Sequence, residues 1–525
     1  MPYSLQITRQ EWRWAIGWSI TFLVASCIPY LIALAVTPAG WQFGGILVNP
    51  LDGQSYLAKI QQGIAGNWLF HLTYTPEPHS GVFVYIFYLM LGHLAALLRL
   101  SPVLVFHVAR LVSGGLLLLV AFRFIAWVTP QRQERRLAFG LLLTASGLGW
   151  LGAMFGALPI DLWVPEAFVP YSIYTNPHFP LGMALMLFIF ENIERSTFNL
   201  QRSAFMAALA ALVLALTVPF ALVVVWAVLA VFIIWRMMIE HRWPWPQIWL
   251  TGAVILTPLP VLIYDYWILR TNAAIAGWSA QNITLAPAPI DLFLGYGLVV
   301  VLAVVGGWII VTRSQDPGEW LVLIWAVVGI LLVYLPFFDL QRRLITGLHI
   351  PLCILAAMGL TRWLARSSLK LSQRRQVVMG IIAVGLLGTL LVWLIPLLAL
   401  ATQSPSTSET MALLFIQDDE AAALTWLSQH ATADEVVLAS PRLSLFIPTR
   451  TQARVFYGHP FETIEAKKKK AMVEAFYHGE SETLSPPVDL IVYGPAEQKL
   501  GKPSILDSLP IVFLSNNLSI YEVKN

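Results

Sequence analysis

Long apolar runs, separated by short polar stretches, dominate the chain as far as Leu400. They lie near 14–36, 103–128, 137–157, 179–193, 203–218, 219–235, 247–268, 289–311, 320–337, 344–361 and 377–400, with a shorter run at 81–98. About 20 apolar residues in helical form cross a bilayer, so the long runs are predicted membrane spans. Pro219 is predicted to break 203–235 into two of them. Basic residues cluster at Arg9 and Arg13, at Arg132, Arg135 and Arg136, at Arg195 and Arg202, at Arg236 and Arg242, at Arg313, and from Arg362 to Arg375. Lys and Arg favour the cytoplasmic face. All these clusters fall on one face only if 81–98 does not cross. That run is therefore predicted to be a juxtamembrane or re-entrant helix on the outer face. The prediction is an α-helical polytopic membrane protein of about eleven spans, with a cytoplasmic N-terminus. The outer-face segments are then 37–102, 158–178, 269–288, 338–343 and everything after 401.

After Leu400 the pattern changes. Helical signals at Glu420–Gln429 and Phe461–Tyr477 alternate with strand signals at Glu435–Ser440, Arg454–His459, Val488–Gly494 and Ile511–Val523. Such alternation predicts a small extracytoplasmic α/β domain with a largely parallel sheet, at 401–525, following a membrane domain at 1–400.

Composition agrees. The chain is 58% hydrophobic and 12% charged, with a mean hydropathy of +0.70, where a soluble domain carries about 25% charged residues. A net charge of +3 gives no argument for nucleic acid. Cys27 and Cys353 both lie in apolar runs and read as small core hydrophobes. No phosphate-binding glycine loop, nucleophile elbow or HExxH motif occurs, so nucleotide-driven pumping and zinc proteolysis lack support.

Charge in an apolar protein is costly, so each polar group on the outer side is a functional candidate. Asp52 follows the first span in a polar turn. It reads as a general base or metal ligand, or as the N-cap of a helix starting near Gln54. Glu77 and His79 flank Pro78 and could bind a phosphate or a metal. Arg110, near the outer end of the second span, could hold a lipid phosphate or snorkel to the interface. Asn176 and His178 open another span, with His178 a proton shuttle or an interface residue. Gln341, Arg342 and Arg343 sit in a short outer loop, against the positive-inside tendency, and read as phosphate-binding. Trp278, Gln281 and Asn282 could line a sugar pocket. The run Lys467–Lys470 reads as a solvated or headgroup-facing surface.

The acidic residue after the first span, the long loop with its juxtamembrane helix, and the Ala-Arg-Leu start of the second span at Ala109–Leu111 resemble the GT-C glycosyltransferases. The resemblance covers roughly 12–400, and the stretch from Gln341 to Pro351 is similar to bacterial members. It implies a membrane glycosyltransferase that uses a polyprenyl-phosphate-linked sugar, with a glycan, lipid or protein as acceptor, in the bacterial cytoplasmic membrane. It also implies that Asp52 is the catalytic base or metal ligand, and it leaves a divalent cation (Mg or Mn) open, since members differ in this. Many members carry a second acid before a later span. Here Asn176 and His178 stand there, with Asp161 and Glu166 upstream. The rival readings are a lipid or polysaccharide flippase and a non-enzymatic membrane assembly factor.

Overall fold

The computed structural model describes residues 7–336, 338–481 and 484–523. The first four helices are α1 (Arg9–Ala35), α2 (Pro50–Ile64), α3 (Ile86–Leu98) and α4 (Pro102–Val128). Among the described residues eight helices are long and apolar enough to cross a membrane, or nine if a bent pair is one span. They match eight of the expected runs, including the pair on either side of Pro219, Leu200–Thr217 and Ala221–Glu240. The other three runs form helices that fall short of a plain span. His178–Arg195 carries Glu191, Glu194 and Arg195, and Pro317–Val333 has 17 residues. The run 289–311 is two helices, Pro289–Tyr296 and Leu298–Arg313, bent by 86°. Gly297 makes that bend with φ +49, a conformation that favours glycine. α3 has 13 residues. At about 1.5 Å per residue it is too short for a ~30 Å hydrocarbon core, as the juxtamembrane reading requires.

The chain divides into two compact units. The first comprises Met1–Ile28, Ala109–Ile263 and Thr284–Ile395. Its helices include a close crossing, since a Cβ on Gly306 would lie 2.1 Å from the Leu355 carbonyl oxygen. The second comprises Pro29–Val108, Tyr264–Ile283 and Pro396–Asn525, so the long loop 37–102 is grouped with the C-terminal region.

Within the second unit, β1 (Trp41–Phe43) pairs antiparallel with β2 (Phe415–Gln417), Trp41 opposite Gln417. Five more strands, β3 (Val436–Leu438), β4 (Arg454–Val455), β5 (Leu490–Tyr493), β6 (Ile511–Leu514) and β7 (Ser519–Glu522), form one sheet in the order β4-β3-β5-β7-β6. β4, β3 and β5 are parallel, whereas β5, β7 and β6 are antiparallel. The largely parallel sheet expected from the sequence is thus a mixed one. The physical reason is the short link between β6 and β7, which permits a hairpin but no crossover. Alternate residues serve two cores. Val437, Val455 and Val492 join Leu424 and Leu427 of the helix Asp418–His430. Leu438, Phe456 and Ile491 join Val473 and Phe476 of the helix Ala466–Tyr477. That is period-2 patterning on a sheet covered on both faces.

α2 and α3 cross at two glycines. A Cβ on Gly92 would lie 2.1 Å from the Ile60 carbonyl oxygen and 2.6 Å from Gly63 Cα. Backbone-to-backbone contact of this kind needs small residues, and here it helps to fix α2, the helix that carries Asp52.

Candidate functional site

α2 begins one turn earlier than the sequence suggested. Asn49 takes the cap position with φ 50, and Pro50 fills the first turn. Asp52 is therefore not the cap but an acid in the first helical turn, where the positive end of the helix dipole favours a carboxylate. It is half-buried. Among the described residues no hydrogen bond or ion pair engages its carboxylate.

Ser55, Tyr56 and Lys59 follow Asp52 at three-, four- and seven-residue spacing, which puts them on its face of the helix. Lys59 is buried, 1% exposed. Its Nζ lies 2.7 Å from Glu462 Oε1 and 2.6 Å from Ser55 Oγ, and 4.4 Å from the Tyr85 ring centroid. Ser55 donates a further hydrogen bond to Glu462. Burial would raise the Glu462 carboxyl, but the charges of Lys59 and His459 and the hydrogen bonds from Lys59 and Ser55 outweigh it and hold it below its ordinary value. The His459 ring accepts at Nδ1 from the amides of Phe461 and Glu462, both at 3.1 Å. That places the proton of the neutral ring on Nε2, which is buried without a hydrogen-bond partner among the described residues. Burial holds the ring below its ordinary value, while the charges of Glu462 and Asp52 pull the other way. Sequence reasoning missed Lys59, His459 and Glu462. Two signals were present. Lys59 is on the Asp52 face of a helix, and His459 and Glu462 follow the carboxyl end of a parallel strand, where α/β sheets place their ligands.

Glu77 and His79 belong to the same unit but are committed to structure. Glu77 pairs with Lys469 and accepts from Thr75. Lys469 is buried while its neighbours in the run are exposed, so this member of the predicted solvated surface is an internal tie. His79 accepts from the Leu72 amide at Nε2 (2.8 Å) and donates from Nδ1 to the Glu77 carbonyl (2.9 Å). Both ring nitrogens are thus used within the fold. Gln281 and Asn282 also serve structure, donating to the carbonyls of Phe461 and Thr463. Trp278 sits edge-on to Tyr85.

The remaining candidates lie in the first unit. Arg110 is buried within its unit. It is 1% exposed and donates to the carbonyls of Ile173 (3.0 Å) and Tyr174 (3.3 Å) and to Ser26 (3.2 Å). Those carbonyls end the helix Val169–Thr175 and have no partner within it, so the guanidinium acts as a helix cap. Asn176 follows as the C-cap residue, and His178 opens the next helix against Phe179, both buried. Asp161 accepts from Ser146 Oγ and from the amides of Gly147 and Gly149. Gln341 ties its loop together by donating to the Leu335 carbonyl and accepting from the Ala286 amide, a structural rather than phosphate-binding part. Arg343 pairs with Glu166 at 2.9 Å. Arg342 lies 3.9 Å from the same carboxylate and stacks over Trp163 at 4.7 Å. Two partly exposed guanidiniums thus gather at one buried carboxylate.

The metal reading of Asp52 finds no ligand set. Among the described residues no three His, Cys, Asp or Glu side chains come together to hold an ion. Glu462 is taken by Lys59 and Ser55, and His459 Nδ1 by backbone amides.

No protein-family model and no curated protein sequence matches the chain. Solved structures do. ArnT from Cupriavidus metallidurans bound to undecaprenyl phosphate matches with a TM-score of 0.55 at 13% identity, over 96% of this chain and 98% of that one. The Archaeoglobus fulgidus oligosaccharyltransferase in complex with Zn and sulfate matches at 0.52 and 11% identity, over 91% and 67%. The arabinofuranosyltransferase AftD from Mycobacteria matches at 0.52 and 13% identity, over 97% of this chain and 40% of that one. The chain has the fold of the GT-C glycosyltransferases, that of a multi-pass helical membrane protein with a small C-terminal α/β region.

Proposed function

We propose that this protein transfers a sugar from a polyprenyl-phosphate donor to a hydroxyl or amine acceptor at the outer face of the cytoplasmic membrane. The observation that carries the reading is the free Asp52 carboxylate in the first turn of α2, beside a network in which Ser55, Lys59 and Glu462 satisfy one another. The ArnT structure, whose length this chain matches almost fully, holds undecaprenyl phosphate, which supports the donor class. Asp52 takes the proton of the acceptor as its oxygen or nitrogen attacks the anomeric carbon. The bond from that carbon to the phosphate oxygen breaks, and polyprenyl phosphate departs. A phosphate leaving group needs charge stabilisation more than a proton, the part proposed for the guanidiniums of Arg342 and Arg343. Ser55, Lys59 and Glu462 are positioning residues. His178, buried against Phe179, is given no proton-transfer step.

Membranes with wild-type protein or Asp52→Asn at matched expression, supplied with a panel of radiolabelled polyprenyl-phosphate sugars, test the reading. Transfer by the wild type that disappears in the variant supports it. Equal transfer by both removes Asp52 from the chemistry, and no transfer from any donor by either overturns the donor class.

A further inference from the structure

Among the described residues after Leu400, His459 Nε2 is the only buried side-chain nitrogen or oxygen without a hydrogen-bond partner. The residue is 1% exposed. A buried N–H in this state forfeits its bond to water and gains nothing in return, so each such group calls for an explanation.

The ring is held firmly. Its Nδ1 accepts from the amides of Phe461 and Glu462, both at 3.1 Å. The Gly458 and His459 amides donate to Thr463 Oγ1 at 3.3 and 3.2 Å, and that hydroxyl donates to the Tyr74 carbonyl at 2.7 Å. A Cβ on Gly458 would lie 2.8 Å from the Ser444 carbonyl oxygen, so the chain fits closely there. The two amides also fix the protonation state. A second ring proton would sit on Nδ1, against two N–H donors. His459 is therefore a neutral imidazole of one tautomer, a donor at Nε2 and not a base.

Nδ1 faces its own segment, so Nε2 faces away from it. Ser55 bonds to Glu462 and lies one turn from Asp52, which brings the segment 459–462 onto the Asp52 face of α2. Besides burial, the ring feels the charges of Glu462, Asp52 and Lys59 and the carbonyl of Leu51, the residue before Asp52. Tyr74 is the other titratable group against it, with ring centroids 5.5 Å apart. The Asp52 charge also reaches Tyr88 of α3. Of the two carboxylates, Glu462 is engaged by Lys59 and Ser55, whereas Asp52 is not engaged. An unmatched donor on a rigid mount thus faces the start of the helix that carries an unmatched carboxylate.

We propose that His459 is a positioning residue for Asp52, its Nε2–H donating to one carboxylate oxygen and leaving the other for the acceptor hydroxyl or amine, a role that rests on Asp52 being the base of the transfer reaction. The acceptor proton goes to the second oxygen. None passes to the ring, because the amides hold Nδ1. A carboxylate at a half-buried helix start turns about two side-chain bonds, and one fixed donor removes that freedom.

The test compares wild type, His459→Leu, His459→Gln, Asp52→Asn and the double variant Asp52→Asn with His459→Leu, in membranes at matched expression. His459→Leu is expected to lower kcat about 10- to 100-fold, the weight of a hydrogen bond to a charged group, with the donor KM within about twofold. The acid limb of its kcat/KM profile should move up by about one pH unit, because the lost bond favoured the charged carboxylate. His459→Gln carries an amide donor near the Nε2 position and should restore most of both. In the Asp52→Asn background His459→Leu should have no further effect. An unmoved acid limb, equal losses in the Leu and Gln variants, or a full His459→Leu effect without the Asp52 carboxylate overturns the role and leaves a structural histidine. A second readout needs no turnover and covers a His459→Leu that fails to fold. In full-length protein labelled with ¹⁵N-histidine in detergent, the Nε2 resonance lost in His459→Gln should shift in Asp52→Asn. An unmoved resonance overturns the pair even if Asp52 proves essential for transfer. A shifted resonance in a protein that transfers no sugar supports the pair and places the failure in the transfer reading.

Discussion

The first turn of α2 and the turn Gln341–Ile345 carry charges of opposite sign, each within its own unit. At the first, the Asp52 carboxylate has no partner among the described residues. At the second, two guanidiniums share the single carboxylate of Glu166. The charges that look similar in the sequence are all committed elsewhere. Glu77 is tied to Lys469, Arg110 to helix-end carbonyls, and Asp161 to Ser146 and two amides. Burial alone does not separate the two classes, since the committed Glu77 is as exposed as Arg342 and Arg343. Partner count does. The partners of Glu77, Arg110 and Asp161 tie parts of the fold together, whereas the Asp52 carboxylate has no hydrogen bond or ion pair among the described residues.

The comparison breaks most sharply at Asp52. Asp52→Asn is expected to lower transfer by about 10²- to 10⁴-fold, the usual weight of a general base. Its thermal stability should stay within about 0.5 kcal/mol of wild type, because no contact is lost. A large stability loss would move Asp52 into the structural class. Lys59→Met should do the reverse. Leaving Glu462 buried and unpaired costs about 3–5 kcal/mol, and the double variant Lys59→Met with Glu462→Leu should recover much of it. Melting of the four proteins in detergent measures the coupling, and additive losses would show that the two groups do not act as a pair.

At the arginine turn the expected effect is smaller. Arg343→Gln should raise the donor KM about 10- to 100-fold, as for loss of one charged hydrogen bond, with Arg343→Lys between. An unchanged KM would show that Glu166 consumes the charge completely. The smallest effect is the response to acid. Glu462 sits below its ordinary value of 4.5, so its stabilisation is present above 4.5 and is lost as pH falls through the lower folded value. His459 sits below its ordinary 6.5, so the unfolded chain takes up that proton first and stability declines as pH drops below 6.5. The melting temperature should therefore fall from neutral to acid. The Lys59→Met, Glu462→Leu protein should lose Glu462's share of the fall below 4.5 and keep the part that begins at 6.5.

Much of the molecule was legible in the chain. Apolar runs announce spanning helices because a backbone in lipid must satisfy its own hydrogen bonds. The break near Pro219 and the short helix at 81–98 were readable for the same reason, through proline chemistry and length. So were the strand positions of the C-terminal region, since alternation on a sheet is a local property. The antiparallel half of that sheet was not predicted, although the short link between β6 and β7 dictates it.

The sequence by itself determined the membrane class, the helical runs, the α/β tail and the acid that follows the first span. Each depends on composition, or on neighbours a few residues apart. Only the tertiary structure decided which charges are free. Lys59 meets Glu462 across 403 positions of chain, and Lys469 meets a loop residue across 392. Arg110 finds its carbonyls 63 and 64 residues away, and Arg343 finds Glu166 at 177. Whether a charged side chain is satisfied depends on atoms within about 3 Å of it. In this fold those atoms come from remote parts of the sequence, so no local pattern around Asp52, Glu77 or Arg110 could distinguish the unpaired group from the paired ones.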